Sequence, residues 1–144
     1  MSQITLAQAS IIVDAALAKG REKKFDPLTV VVLDAGGHVV AAKREDGSGI
    51  LRFEIALGKA WGGLGFGFGS RALAARAAKA PMFVTAVAAV AEGRLVPVPG
   101  GVLVRDPSGA VIGAVGISGD NSDNDEIAAI AGVEKAGLTA DPGA

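Results

Sequence analysis

The sequence predicts a single α+β domain: one mostly antiparallel sheet of five strands with helices packed on it. Three observations lead there. Residues 28–42 read LTVVVLDAGGHVVAA and residues 101–117 read GVLVRDPSGAVIGAVGI, the same pattern written twice. Each is a β-branched apolar run, an Asp-led turn containing glycine, and a second apolar run. Val and Ile suit a half-buried pleated surface, and Asp-Ala-Gly-Gly or Asp-Pro-Ser-Gly turns the chain, so two hairpins span Leu28–Arg44 and Val102–Ser118. A long Ala/Gly-rich stretch separates them, and both ends of the chain carry helical periodicity. At 144 residues, half of them apolar and 20% charged, the chain has the size and composition of one globular domain. That domain is expected over 1–138, with 139–144 a flexible tail.

The elements follow in order. Thr5-Leu6-Ala7-Gln8 is a capping box with Ile4 placed to staple it. Leu6, Ala9, Val13, Ala16 and Leu17 then keep helical spacing to about Lys23, and Pro27 bars continuation. After the first hairpin, Glu45–Gly49 is a polar loop. A second helix starts near Leu51 and turns Phe53, Ile55, Ala56, Leu57 and Ala60 inward. Gly58, Gly62 and Gly63 weaken it but let another backbone approach. Further helices are expected from Ser70 to Lys79 and from Pro81, a good first-turn residue, to Glu92. Leu95–Val98 reads as a short edge strand, because Pro97 and Pro99 forbid a central position. Ser122 is expected to cap the last helix, with Asp125 and Glu126 in its first turn and Gly137 closing it.

Composition excludes several classes. A net charge of −1 offers no basic footprint for nucleic acid or an anionic membrane. With no cysteine there is no disulfide and no thiolate nucleophile or ligand, and a single histidine cannot build a multi-histidine metal site. No apolar run reaches the ~18 residues of a membrane span, and Met1–Ile4 does not open a secretory signal. A cytoplasmic protein is therefore expected. So high an apolar fraction in a small domain also points to a homo-oligomer.

The string VVLDAGGHVVAAKREDG, then IALGKA, then VPVPGGVLVRDPSGAVIGAVGISG and a final NDE-led helix resembles the GlcG/HbpS family, which includes the C-terminal domain of PduO-type proteins. The likeness runs from the first helix to about Leu138. It implies a profilin-like or roadblock-like sheet and a small-molecule binding protein for haem or a related tetrapyrrole, such as a corrinoid. Unlike haem-binding relatives with a ligand there, the first helix has no histidine.

Several residues are candidates for that chemistry. His38, after Gly-Gly at a strand start, is either a surface turn residue, an axial haem ligand or an acid–base group. Arg52 and Lys59 lie with Glu54 on an otherwise apolar helix, and Arg44 ends the preceding strand. These cations either clamp a carboxylate or propionate, or snorkel to solvent or pair with Glu54 across a subunit interface. Gly100-Gly101 offers bare backbone amides to a ligand or forms a β-bulge, and Ser118 and Asp120 could rim the same pocket. Met82 is a further side chain that could lie near an iron. Two other readings stay open. One is an enzyme on a small carboxylate or aldehyde, with Lys59 or Asp120 as acid–base group. The other is an assembly protein, with Gly58, Gly62 and Gly63 as subunit contact. Gly62–Gly69 satisfies no G-x-G-x-x-G register, and the acids of 120–126 lack a calcium loop's glycine and twelfth-position acid.

Overall fold

The computed structural model describes residues 3–143. Helix α1 (Leu6–Glu22) precedes strands β1 (Thr29–Asp34) and β2 (Val39–Arg44). Helices α2 (Arg52–Phe66), α3 (Ser70–Lys79) and α4 (Pro81–Val90) fill the middle, and β3 (Gly101–Arg105), β4 (Val111–Ser118), α5 (Ser122–Lys135) and β5 (Thr139–Asp141) complete the chain. The five strands form one antiparallel sheet in the order β2-β1-β4-β3-β5.

The expected sheet is present, but its fifth strand lies elsewhere. Leu95–Val98 is irregular, because the Val96 N–H donates to the Gly58 carbonyl and ties the segment to α2 instead of a strand. The edge position is taken by Thr139–Asp141, a strand where a flexible tail is expected. These residues pair with Leu103–Arg105, and Arg105 binds the Asp141 carboxylate at 2.9 and 3.0 Å. The bulges fall at Val32/Leu33 and Val104/Arg105. Gly100-Gly101 is not one of them.

Period-2 alternation gives the sheet two apolar faces. Val30, Val32, Val102, Val104, Val115 and Ile117 pack under α1 and α5, while Val31, Leu33, Leu103 and Ala114 pack under α2. Helix α1 starts on the capping box the sequence spells: the Gln8 N–H donates to Thr5 Oγ1 and the Thr5 N–H to Gln8 Oε1, both at 3.0 Å. Helix α5 is capped one residue earlier than expected, by the Asn121 side chain accepting from the Asn124 N–H.

Helix α2 sits unusually close to the sheet, and glycine makes that possible. Gly116 of β4 is in register with Gly101 of β3. A Cβ on Gly116 would collide with the Ala56 carbonyl, and one on Gly101 with the Lys59 carbonyl. The helix backbone therefore rests directly on the strands. Gly58, Gly62 and Gly63 pack within the chain as well, against Val96, Leu95 and the Phe68 carbonyl, so they are not the exposed subunit contact that the assembly reading needs.

Candidate functional site

Close seating of α2 aims Lys59 at one end of the sheet, where β4 ends and α5 begins. Its side chain is 2% exposed, so it neither snorkels to solvent nor reaches Glu54. Lys59 Nζ donates to the Ile117 carbonyl at 2.9 Å and to Asp125 Oδ2 at 3.1 Å. The other Asp125 oxygen accepts the Asp120 N–H at 2.9 Å. Lys59 thus joins the helix on one face of the sheet to the helix on the other. Burial pushes the Lys59 amine below the ordinary lysine range and the Asp125 carboxyl above the ordinary carboxylate range, and each partner's charge pulls the other back.

Gly100 and Gly101 belong to this tie. Gly100 has φ +118°, and a Cβ there would lie 2.8 Å from Lys59 Nζ. Its carbonyl accepts the Ile117 N–H at 3.0 Å. The Gly101 N–H donates to Ser70 Oγ at 2.7 Å. The space beside both glycines is filled by this chain's own helix α2.

The remaining candidates surround the pair. Arg52 Nη1 donates to Ser118 Oγ at 3.1 Å, with Arg52 half-buried and Ser118 buried. The Asp120 carboxylate accepts the Asp26 N–H, the Asn121 N–H and Asn124 Nδ2, each at 2.8 Å. Those bonds, the one from Asp26 foremost, hold it below the ordinary carboxylate range. Arg44 lies across β1 from this cluster, where Thr29 pairs with both Arg44 and Ser118. It opens instead on a groove of about 400 Å³ lined by Arg21, Pro27, Glu45 and Asp46. In sequence Asp125 shows only as a first-turn acid of α5. The signal that could have singled it out is Lys59 itself, because a lysine on the buried face of a helix requires a counter-charge.

His38 stands apart, at the other end of β1. The Asp34 carboxylate accepts the backbone N–H of His38 and of Gly36, both at 2.9 Å, which lowers its pKa. The same oxygen lies 3.2 Å from His38 Nδ1, while the ring is 81% exposed. His38 Nε2 makes no hydrogen bond among the described residues. Beside it is a groove of about 140 Å³ lined by Ala35, Gly36, Gly37, Trp61, Leu64 and Gly65. The Arg94 guanidinium stacks on Trp61, 4.0 Å from the ring centroid. Among the described residues no cluster of three or more His, Cys, Asp or Glu could hold a metal ion by itself.

One antiparallel sheet with α1 and α5 on one face and α2 on the other defines an α+β class of protein. Residues 4–134 match the family model described as haem degrading protein HbpS-like, and the chain belongs to that family. Among solved structures, the PduOC–heme complex superposes with a TM-score of 0.83 at 20% identity, covering 94% of this chain and 96% of that one. The Klebsiella pneumoniae protein ORFY gives 0.82 at 25% identity, covering 95% and 92%. HbpS gives 0.79 at 27% identity over 93% and 90%, and a double mutant of Streptomyces reticuli HbpS is equally similar. No curated protein matches the sequence. Among the described residues, no helix is long and apolar enough to cross a membrane.

Proposed function

We propose that this chain binds haem or a related tetrapyrrole, with His38 Nε2 as an axial ligand. The family supplies the ligand class, and one of its solved structural neighbours is itself a heme complex. The observation that carries the site is the Asp34–His38 pair. A carboxylate at Nδ1 fixes the ring's orientation and leaves Nε2 free, the arrangement by which proteins prepare a histidine for a metal. Trp61 and Leu64 offer apolar surface beside it, and Arg94 a cation for an acidic substituent. The groove is too small to enclose a macrocycle, so the site is a shelf.

Arg44 and Arg52, which face different surroundings, stay outside this site. Strand β1 holds them away from His38 by about 17–20 Å, its six residues at ~3.3 Å each. Lys59, engaged in the buried pair, keeps the protein folded and does not touch ligand.

The test is a haem titration followed at the Soret band. Wild type should saturate at one site per chain. His38→Ala should weaken binding at least tenfold and change the spectrum, and Asp34→Asn should weaken it less. No saturable band in wild type would refute haem binding. Saturable binding unchanged in His38→Ala would refute His38 as the ligand.

A further inference from the structure

The groove beside Arg44 is a second concave site, at the end of β1 opposite His38. Its walls are fixed by hydrogen bonds. Glu45 Oε1 accepts the Leu28 N–H at 2.7 Å, and the Glu45 N–H donates to the Leu28 carbonyl at 2.9 Å. Glu45 Oε2 pairs with Arg21 Nε at 2.9 Å, while Arg21 Nη2 donates to the Phe25 and Asp26 carbonyls at 2.7 and 3.1 Å. The buried Ser48 hydroxyl lies 2.8 Å from Thr29 Oγ1 and anchors the loop to β1. Gly47, at φ +85°, brings that loop beside the Pro27 ring. The groove is therefore preformed, and its volume of about 400 Å³ lies within the range of small-molecule sites.

Its charges indicate the ligand. Arg21 and Glu45 neutralise each other across one wall. Arg44 and Asp46 are both exposed, and neither makes a hydrogen bond or ion pair to the other or to any other described residue. Two positions apart, their Cα atoms lie within about 7 Å of each other. An anion alone would meet Asp46 in this groove, and a cation alone would meet Arg44. A molecule that carries both charges on one carbon satisfies both residues. We propose that the groove binds a free α-amino acid, with its carboxylate on the Arg44 guanidinium, its ammonium on the Asp46 carboxylate and its side chain against Pro27. A guanidinium fork matches a carboxylate, and the donors of an ammonium match the acceptor-only oxygens of Asp46. Both contacts are open to solvent, so binding is weak and falls as salt is added.

The test is a titration of the ¹⁵N-labelled full chain at constant ionic strength, first with L-alanine and then with each standard α-amino acid in turn. Saturable shifts are expected at the backbone amides of Leu28, Glu45, Asp46 and Ser48, with the amide of His38 unmoved. Lactate, which has a hydroxyl in place of the ammonium, and ethylamine, which lacks the carboxylate, should each bind at least threefold more weakly than alanine. Arg44→Gln and Asp46→Ala should each weaken amino-acid binding at least threefold and leave the melting temperature unchanged, because both side chains are exposed. No saturable shift with any amino acid would overturn the proposal. Lactate binding as tightly as alanine would also overturn it, by reducing the groove to an anion contact. So would amino-acid binding that is unchanged in both variants. Haem binding at His38 is a separate readout and does not enter these outcomes.

Discussion

Replacing Asp125 by Asn should destabilise this protein more than any other conservative change of one atom. The amide keeps the shape and can still accept the Asp120 N–H, but Lys59 loses its counter-charge in a site where it is 2% exposed. The amine then has two courses. It can stay charged without a partner, at about 3–5 kcal/mol, or it can lose its proton. Neutralising an ordinary lysine at pH 7 costs about 4–5 kcal/mol, which caps the penalty at nearly the same value. Urea unfolding with the m-value held constant measures it. The sign with pH is also fixed. A lysine whose folded pKa is lowered binds fewer protons folded than unfolded, so stability rises as pH climbs from the folded pKa toward the unfolded value near 10. Asp125→Asn should therefore recover stability between pH 7 and 10, and a variant too weak to fold at pH 7 should be read near pH 9.5. Lys59→Met combined with Asp125→Asn should lie within about 2 kcal/mol of wild type, because no buried charge remains. A loss below about 1 kcal/mol for Asp125→Asn, the value of an exposed pair, would refute the sequestered tie.

Three further outcomes are expected. Gly116→Ala should cost about 3 kcal/mol, since the Cβ meets the Ala56 carbonyl and α2 must lift; a melting shift of about 6–12 °C would report it, and one below about 2 °C would contradict the seating. Thr5→Ala should cost about 1 kcal/mol in urea by removing half of the α1 capping box, and no loss would mean the cap is not used. The Asp120 carboxyl is held below its ordinary range, so its contribution is complete above the unfolded value near 4 and is lost as pH falls through the folded pKa. Asp120→Asn should flatten the acid limb of the stability profile, and an unchanged limb would show that these hydrogen bonds do not matter.

The sheet's central strands were legible because hairpins are local: Val30–Leu33 and Val102–Val104 alternate around turns a few residues away. The α1 cap was legible for the same reason, with Thr5 and Gln8 three positions apart. Strand β5 was not. Thr139-Ala140-Asp141 has no apolar alternation, and it is held by Arg105, which is distant in sequence. Leu95–Val98 misled because Leu95 and Val96 pack on α2 instead of pairing. At the site, Lys59 stood out as a cation among alanines and glycines, yet its partner lies 66 positions later. The Gly100-Gly101 pair was visible as backbone needing room, but only the tertiary structure shows that α2 takes that room. His38 was a candidate by being the only histidine, and its orientation by Asp34 is a four-residue contact that a hairpin turn makes possible.

The two edges of the sheet bear on how this protein avoids polymerising through its own backbone. An open strand edge is a template for another chain, and Val-rich strands such as these are the material of cross-β stacks. On one side β2 ends in exposed Lys43 and Arg44 and follows the bulge at Val32/Leu33, which twists the pairing. On the other side β5 is three residues long and is stopped by Pro142. Charged residues and a bulge on one edge, and a short strand ended by proline on the other, disfavour such pairing and help to keep the apolar strands of the interior enclosed.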